Sequence, residues 1–488
     1  MTYRLFLAFA LLVAAVVFPA IAALVCGVIL LLQLGLMCLR PVITRFAAPR
    51  FRPTQHFSAP VFSVHVATHA EPADLVIRTL QALLDQDWPQ ERYEIIVMDN
   101  NTQDRRCWTP VQDFCARQAQ RIRFIHRRGV QGAKAGALNI ALAHTRSDAS
   151  HVVTVDADYG VSPQFLSAAA CALQRTGADY VQFPQSYVGV CGPVSGVDAE
   201  LEEYFRSNAA VADGAEAVLL TGTLCVVSKP ALIAAGGWSD ASTTEDAEMG
   251  VRLCRAGYSG RFIDQVVGQG LLPFSLRDLE TQRYRWCSGN FQTLLQHLRT
   301  VLTPSGPLSL HKRLVVVSQL TAWFNLAMVP TVLLLALLAL GRGHTLAASL
   351  AAAVIVLSLC DVALRIIGRG LRDKLGGGVI LRALACRIAL APRSARATFD
   401  AVAGGRFTFV VTDKSGTGAS SRIAIPLAHL VLFVAPLLLL VVAAPSEPLI
   451  HAALLTLMLP LPAAILTDRS LRAYRHALVG NPGAEDMA

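Results

Sequence analysis

Charge is scarce in this chain: of 488 residues only 16% are Asp, Glu, Lys or Arg, against 53% hydrophobic. That balance excludes a disordered chain and argues for a membrane protein. None of the 11 cysteines forms a CxxC pair, which argues against structural zinc and for reduced thiols. No GxxxxGK[ST] string occurs, so a P-loop is excluded. There is no internal repeat, and no low-complexity stretch beyond a short Gly/Ser-containing segment at 413–421.

What the chain does contain is apolar sequence gathered at residues 5–39 and again after Leu314, with a stretch of ordinary soluble composition between them. A bilayer span needs about 20 apolar residues. Four C-terminal runs qualify: Leu314–Leu340, Thr345–Ile367, Ile425–Ala444 and Leu449–Leu466. The second contains Asp361 and Arg365, spaced to pair across one helical turn. The N-terminal run is long for one upright helix and short for two, with Pro19 near its middle; a helix or a two-helix hairpin is expected.

Basic residues set orientation. Arg40, Arg45, Arg50 and Arg52 follow the first run, Lys312 and Arg313 precede the second, and Arg469, Arg472 and Arg475 follow the last, whereas the loop Pro445–Pro448 has neither Lys nor Arg. The expected organisation is an N-terminal transmembrane helix or hairpin (1–39), a cytoplasmic catalytic domain (55–305), transmembrane helices (314–367), a cytoplasmic segment (368–424), further transmembrane helices (425–466) and a cytoplasmic tail (467–488). The net charge of +9 is then a membrane-surface signature rather than a nucleic-acid footprint. The tail is too short for a fused regulatory domain, so an export or regulatory partner is where control is expected.

Within the central region strand-like runs alternate with helical patterns: "VFSVHVAT" (61–68), "EIIVM" (94–98), "IRFIH" (122–126), "HVVTV" (151–155) and "DYVQF" (179–183). This alternation predicts an α/β, doubly wound, largely parallel sheet, whose ligands sit beyond the carboxyl ends of the strands. Asp99 and Asp156 stand at such ends.

Four motifs carry chemistry, each with a plain structural reading beside it. In "VDAD", Asp156 and Asp158 are either solvated loop carboxylates or a pair that holds a hard divalent cation with a substrate phosphate. In "STTEDAEMG", Ser242 and Glu245 fit a capping box, which leaves Asp246 unexplained unless it serves as a general base. In "QRYRW", Gln282, Arg285, Trp286 and Gly289 share one helix face with Arg283 beside them. These are either snorkelling interfacial residues or a phosphate grip beside a stacking platform, with Gly289 leaving room below the ring. In "GAKAGALN" (132–139), the glycines mark a helix start or permit close backbone approach, with Lys134 able to reach a phosphate.

In this order the motifs resemble the membrane-embedded family 2 glycosyltransferases, the group of bacterial cellulose, hyaluronan and other β-glucan synthases. The matching stretches are "ATHAEP" (67–72), "VMDNNTQD" (97–104), "AKAGALN", "VDADYG", "VQFPQ" (181–185), "TGT" (221–223), "TTEDAEMGVRL" (243–253), "QRYRW" (282–286) and "FVVTDKSG" (409–416). The resemblance implies a cytoplasmic glycosyltransferase A-type domain, a Rossmann-like mixed sheet, joined to an α-helical transmembrane region in the inner membrane. It implies donor contacts at Thr68, Glu71, Asp99, Lys134, Asp156, Gln282, Arg283 and Arg285, and Mg²⁺ or Mn²⁺ at Asp156 and Asp158. It further implies Asp246 as base, acceptor contacts at Trp286, Glu245 and Thr223, and a gating loop around Phe409 and Thr412. The full Q-R-x-R-W form implies processive synthesis, and the "DNNT", "GGW" and "TTEDAEMG" wording implies UDP-glucose, with UDP-N-acetylglucosamine as alternative donor. The partners implied are a nucleotide sugar, a growing glycan chain and the bilayer, with no nucleic acid. A lipid-acceptor transferase shares the carboxylates and a related R-W motif, and is the competing reading. "ATHAE" and "DNNTQD" depart from the family's commoner wording on the nucleotide side.

Overall fold

The structure, a computed structural model, describes residues 13, 17–45, 59–303, 308–404 and 425–480. Phe409 and Thr412 lie outside the described residues, as does most of the N-terminal run before Pro19.

The central domain is built on a seven-stranded sheet of order β3-β2-β1-β4-β7-β6-β8. Its strands are β1 (Phe62–Thr68), β2 (Tyr93–Asn100), β3 (Ile122–Arg127), β4 (His151–Asp156), β6 (Tyr180–Gln182), β7 (Cys225–Ser228) and β8 (Gly260–Phe262), and a two-stranded pair joins β5 (Gly160–Val161) to β9 (Gly268–Gln269). Strands β3, β2, β1 and β4 run parallel; β7 is antiparallel to both β4 and β6. The sheet is therefore mixed, and its reversal at β7 places the turn "TGT" beside the end of β4.

Burial on both faces explains the near-continuous apolar runs. Val64, Val66, Ile95, Val97, Val153 and Val155 enter one core with Val76, Leu80 and Leu83 of the helix Ala73–Leu84. Ile96 and Met98 point the other way, onto Ala137 and Ala141 of the helix Ala133–Ala143. Two polar side chains sit inside that second layer: Ser63 donates to Glu94 at 2.9 Å, and the His65 ring lies 2.9 Å from Thr145. Burial pulls the His65 imidazole down to about 3, so it packs as a neutral hydrogen-bonding group.

Among the described residues, three helices are long and apolar enough to cross a membrane: Pro19–Thr44, Leu346–Arg372 and Pro448–Leu478. The expected span Leu314–Leu340 is not one helix. It divides into Leu310–Leu320 and Met328–Ala339. The first half packs on the soluble domain, burying Val316 and Leu320 against Leu219, Ala247 and Val251. Gln319 explains why it turns that way: its amide accepts from Leu219 N and donates to Ala217 O, both at 2.9 Å. An uncharged apolar run gives no sign of such docking, because Gln319 finds its partners a hundred residues upstream. Within the segment 368–424, expected to lie between spans, the helix Gly377–Val402 buries Cys386, Ala389 and Leu390 against Leu272, Leu279 and Leu471.

Gln319→Leu should destabilise the protein by about 1–3 kcal/mol, the cost of leaving two buried backbone groups unmatched. Thermal melting of the purified variant beside wild type checks this.

Candidate active site

The carboxyl ends of β1, β2 and β4 open onto a cavity of about 290 Å³. Thr68, His69 and Glu71 reach it from the end of β1, Asn100 and Asn101 from β2, Asp156 and Asp158 from β4, Lys134 from the start of its helix, and Gln282 and Arg285 from the helix Leu276–Gln296. Five side chains from the expected donor set, together with the expected cation pair, thus meet in one place: Thr68, Glu71, Lys134, Gln282 and Arg285 with Asp156 and Asp158.

Hydrogen bonds between loops fix the geometry. Asp99 is only 3% exposed; its carboxylate accepts from Thr68 at 3.0 Å and Thr102 at 2.6 Å, and lies 2.6 Å from His126 Nδ1. It holds the cavity wall together and does not line it. The neighbours Asn100, Asn101 and His69, which the motif reading passed over, face the cavity instead. Asn100 donates to Thr68 O at 3.1 Å, and His69 Nδ1 lies 2.6 Å from Asn100 O. The doubled Asn after Asp99 is the one sequence signal that could have exposed them.

Lys134 is the cation among the acids. It pairs with Asp156, donates to Gly222 O at 3.0 Å and stands 4.0 Å from Glu245. Burial works against its charge, but Asp156, Glu245 and Asp246 more than offset that and hold the ammonium above its ordinary range. Gly222 has φ +83°, and a Cβ there would meet Asp246 Oδ2 at 2.8 Å, so only glycine allows the "TGT" turn to pass between Lys134 and Asp246. Thr223 is fully buried and accepts from Asp156 N at 3.0 Å; it seats Asp156 and does not reach the cavity. Gln182 and Gln185 of "VQFPQ" secure the same turn through Thr223 O and Thr221 O, at 2.9 and 2.8 Å.

A second, smaller chamber of about 60 Å³ continues from the first, sharing Lys134, Asp156, Gln282 and Arg285 and adding Glu245, Asp246 and Trp286. Asp246 stands in the first turn of the helix Glu245–Arg255 and accepts from Ala247 N at 2.8 Å. Its carboxyl is pushed up to about 7, chiefly by burial and then by the charge of Glu245, with Lys134 opposing. A carboxylate poised near neutrality suits proton acceptance. A third chamber of about 50 Å³ follows beyond Asp246 and Trp286, lined by Tyr204, Phe205, Leu201 and Trp323 among others.

Two local expectations are corrected. The capping box does not form: Thr244 is the N-cap, and Ser242 donates to Gly289 O at 2.9 Å, tying the "TTED" turn to the "QRYRW" helix. The space beside Gly289 is not free for a ligand either. A Cβ there would meet Thr243 and Thr244 at 2.7 Å, so the glycine permits that same contact. Arg283 also lies elsewhere than expected: it is fully buried, with two parallel bonds to Glu200 at 2.8 and 2.7 Å, and does not line the first cavity.

Among the described residues no cluster of three or more His, Cys, Asp or Glu could hold a metal alone. The Asp156/Asp158 pair still fits a divalent cation by its chemistry. It offers only hard oxygen donors, and a cation held there would take its remaining ligands from a substrate phosphate and water.

Residues 63–233 match the Glycosyl transferase family 2 model and residues 151–360 match the Glycosyl transferase family group 2 model. The chain carries a family 2 glycosyltransferase domain. This glycosyltransferase domain is similar to that of the beta-monoglucosyldiacylglycerol synthase of Synechocystis sp., 30% identical over 51% of this chain and 51% of that protein. It is also similar to the cellulose synthase 1 catalytic subunit [UDP-forming] of Komagataeibacter xylinus, 25% identical over 57% of this chain and 36% of that one. The chain thus spans about half or less of the curated relatives it matches. The mannosyltransferase PcManGT from Pyrobaculum calidifontis, solved in complex with GDP-Man and Mn²⁺, shares the fold with a TM-score of 0.52 at 18% identity, over 76% of this chain and 98% of that one.

The raised carboxyl of Asp246 predicts an acidic limb in kcat/KM near pH 7. Below it the group is protonated and cannot accept a proton, so activity should fall about tenfold per pH unit. Asp246→Asn should abolish transfer. A group pushed up on folding weakens the native state as pH rises through its folded value. The variant should therefore melt no lower than wild type at pH 8. A pH–rate profile and paired melting curves check both.

Proposed function

We propose that the protein is an inverting glycosyltransferase that takes a nucleotide sugar from the cytoplasmic side of the inner membrane and transfers its sugar to a hydroxyl acceptor. The observation that carries this reading is the continuity of the three chambers: donor-sized space at the strand ends, Asp246 at the constriction, and an aromatic chamber beyond. In this reading Thr68, Glu71, Asn100 and Asn101 face the nucleoside, while Lys134, Arg285 and Gln282 face the diphosphate. Asp156 and Asp158 would hold Mg²⁺ or Mn²⁺, which supplies Lewis-acid stabilisation of the leaving diphosphate.

The remaining steps belong to the chain. Asp246 accepts the proton of the acceptor hydroxyl. The acceptor oxygen bonds to the anomeric carbon as its bond to the phosphate oxygen breaks on the opposite face, turning an α-linked donor into a β-linked product. The electron pair leaves with the diphosphate, and the cations Arg285 and Lys134 meet the charge that develops there. Glu245 keeps Asp246 basic through like-charge repulsion, and Trp286 offers the acceptor a flat face.

For the finer identity, the proposed donor is UDP-glucose, with UDP-N-acetylglucosamine as alternative, and the proposed product is an extending β-linked glycan passed across the bilayer. The full Q-R-x-R-W string and the likeness to a cellulose synthase subunit favour this. A lipid acceptor is the second reading, favoured by the likeness to a glucosyldiacylglycerol synthase. Membranes incubated with radiolabelled UDP-sugars, with product partitioned between solvent-extractable lipid and insoluble polymer, separate the two. Polymer label is expected; label confined to lipid replaces the polymer reading. EDTA and Asp158→Ala should each remove most turnover.

Arg285 and Trp286 share a face but serve different substrates in this reading, so their variants should fail differently. Arg285→Ala should lower turnover with every acceptor, by about a hundredfold or more if its charge acts chiefly in the transition state. Trp286→Ala should retain UDP binding and slow donor hydrolysis and lose transfer. Free UDP and glycosylated product, measured side by side, check the split. Normal product formation by Trp286→Ala would leave that ring no part in acceptor binding.

A further inference from the structure

Arg283 stands between Gln282 and Arg285, which line the donor cavity and the chamber beyond, with Trp286, which lines that second chamber, following Arg285. Its own side chain lines neither of those spaces. The guanidinium makes two parallel bonds to Glu200 and lies 3.9 Å from the centre of the Trp323 ring and 5.8 Å from that of Trp286. Trp323 and Trp286 are themselves in contact, their centres 5.6 Å apart. A rigid planar fork gripped at both prongs fixes the rotation of the helix that bears it. One residue from Gln282 and two from Arg285, that rotation decides where the cleft-facing side chains point.

Glu200 is also the first of an alternating series of charges. It pairs with Arg387 of the helix Gly377–Val402; Arg387 reaches Glu203 at 3.1 Å; and Glu203 meets Arg365 at 3.5 Å. Arg365 bonds Asp361 at 3.2 Å within the apolar helix Leu346–Arg372, and Asp361 receives Arg40, at 3.1 Å, from the helix Pro19–Arg45. The pairs run unbroken from the centre of "QRYRW" to two membrane helices. Each charge is buried or nearly so, so each depends on its neighbours for compensation and cannot move without them.

Resting on the transferase reading above, we propose that Arg283 is a positioning residue: held by Glu200, it sets Arg285 and Trp286 in the cleft, and the ion-pair series couples that setting to the membrane helices. The donor contact implied for Arg283 by family resemblance is replaced by this role.

Two variants of the full-length protein in detergent test it. Arg283→Lys keeps the charge and loses the fork. It should bind UDP with Mn²⁺ within about twofold of wild type by calorimetry, and lose tenfold or more in kcat with little change in donor KM. A tenfold weaker UDP affinity would make Arg283 a donor contact, and unchanged kcat would make the pair purely structural; either overturns the proposal. Tryptophan emission gives a readout without turnover. Trp323 lies nearer the guanidinium, so the reading is taken in a Trp323→Phe background, where Arg283→Lys should still shift the emission through Trp286; no shift there overturns the positioning of Trp286. Absence of UDP binding and of transfer in wild type would count against the transferase reading itself and leave the emission test standing. Asp361→Asn, at the far end of the series, should lower kcat several-fold with UDP binding unchanged, and full turnover there would overturn the coupling to the membrane helices.

Discussion

Lys134 is the charge on which the cleft depends. Five acidic side chains, Glu71, Asp156, Asp158, Glu245 and Asp246, converge on two joined chambers, and Lys134 and Arg285 are the cations that line both. Carboxylates so close cannot all ionise without compensation. Glu71 shows the strain: burial raises its carboxyl and the charge of Asp158 raises it further. Lys134 relieves the crowd at its centre by touching Asp156 and standing within 4.0 Å of Glu245. In the transferase reading, the surplus of negative charge that remains is what a divalent cation would neutralise.

Close packing enforces that arrangement. The "TGT" turn can thread between Lys134 and Asp246 only because Gly222 carries no Cβ, and Gly289 lets the "QRYRW" helix meet the "TTED" turn. Ser242 then bonds Gly289 O, so the Asp246-bearing helix and the Arg285-bearing helix are fixed relative to each other. From there the load passes outward: Tyr284 bonds Asp400 at 2.6 Å, and Leu276 N donates to Asp468 at 3.2 Å on the last long apolar helix. The catalytic cleft and the membrane helices are in this sense one packed body.

Much of this was legible in the sequence, and the exceptions share a cause. Strands ending in Asp99 and Asp156 follow from apolar runs closed by a carboxylate, and the pairing of Asp361 with Arg365 from a spacing of four. Asp246, Lys134 and Arg285 followed from motif order and meet as expected. What could not be read was direction. Arg283 and Arg285 are alike as letters; one faces Glu200, 83 positions away, and the other the cleft. Asp99 looked like a ligand contact and proves to be a brace, because Thr102 and His126 claim its oxygens. The start of the expected span Leu314–Leu340 looked like bilayer-crossing sequence because Gln319's partners lie far upstream. Local pattern tells what a residue can do, and only distant partners decide which use it is put to.

The unequal chambers bear on how transfer could avoid wasting donor. About 290 Å³ on the nucleotide side narrows to about 60 Å³ around Asp246 and about 50 Å³ beyond it. In the transferase reading, Asp246 stands where the cleft is narrow, beside the chamber lined by Tyr204, Trp286 and Trp323, which leaves little room for water, the acceptor that would hydrolyse the sugar unproductively. An acceptor entering the aromatic chamber must part these walls, and the wall it displaces includes Trp286 and Trp323, the rings against which Arg283 is packed. On the proposed reading, acceptor entry would press on the same guanidinium that is packed against those rings. Base access, leaving-group contact and the membrane helices would then share one mechanical element, the Arg283–Glu200 pair and the ion-pair series that continues from it.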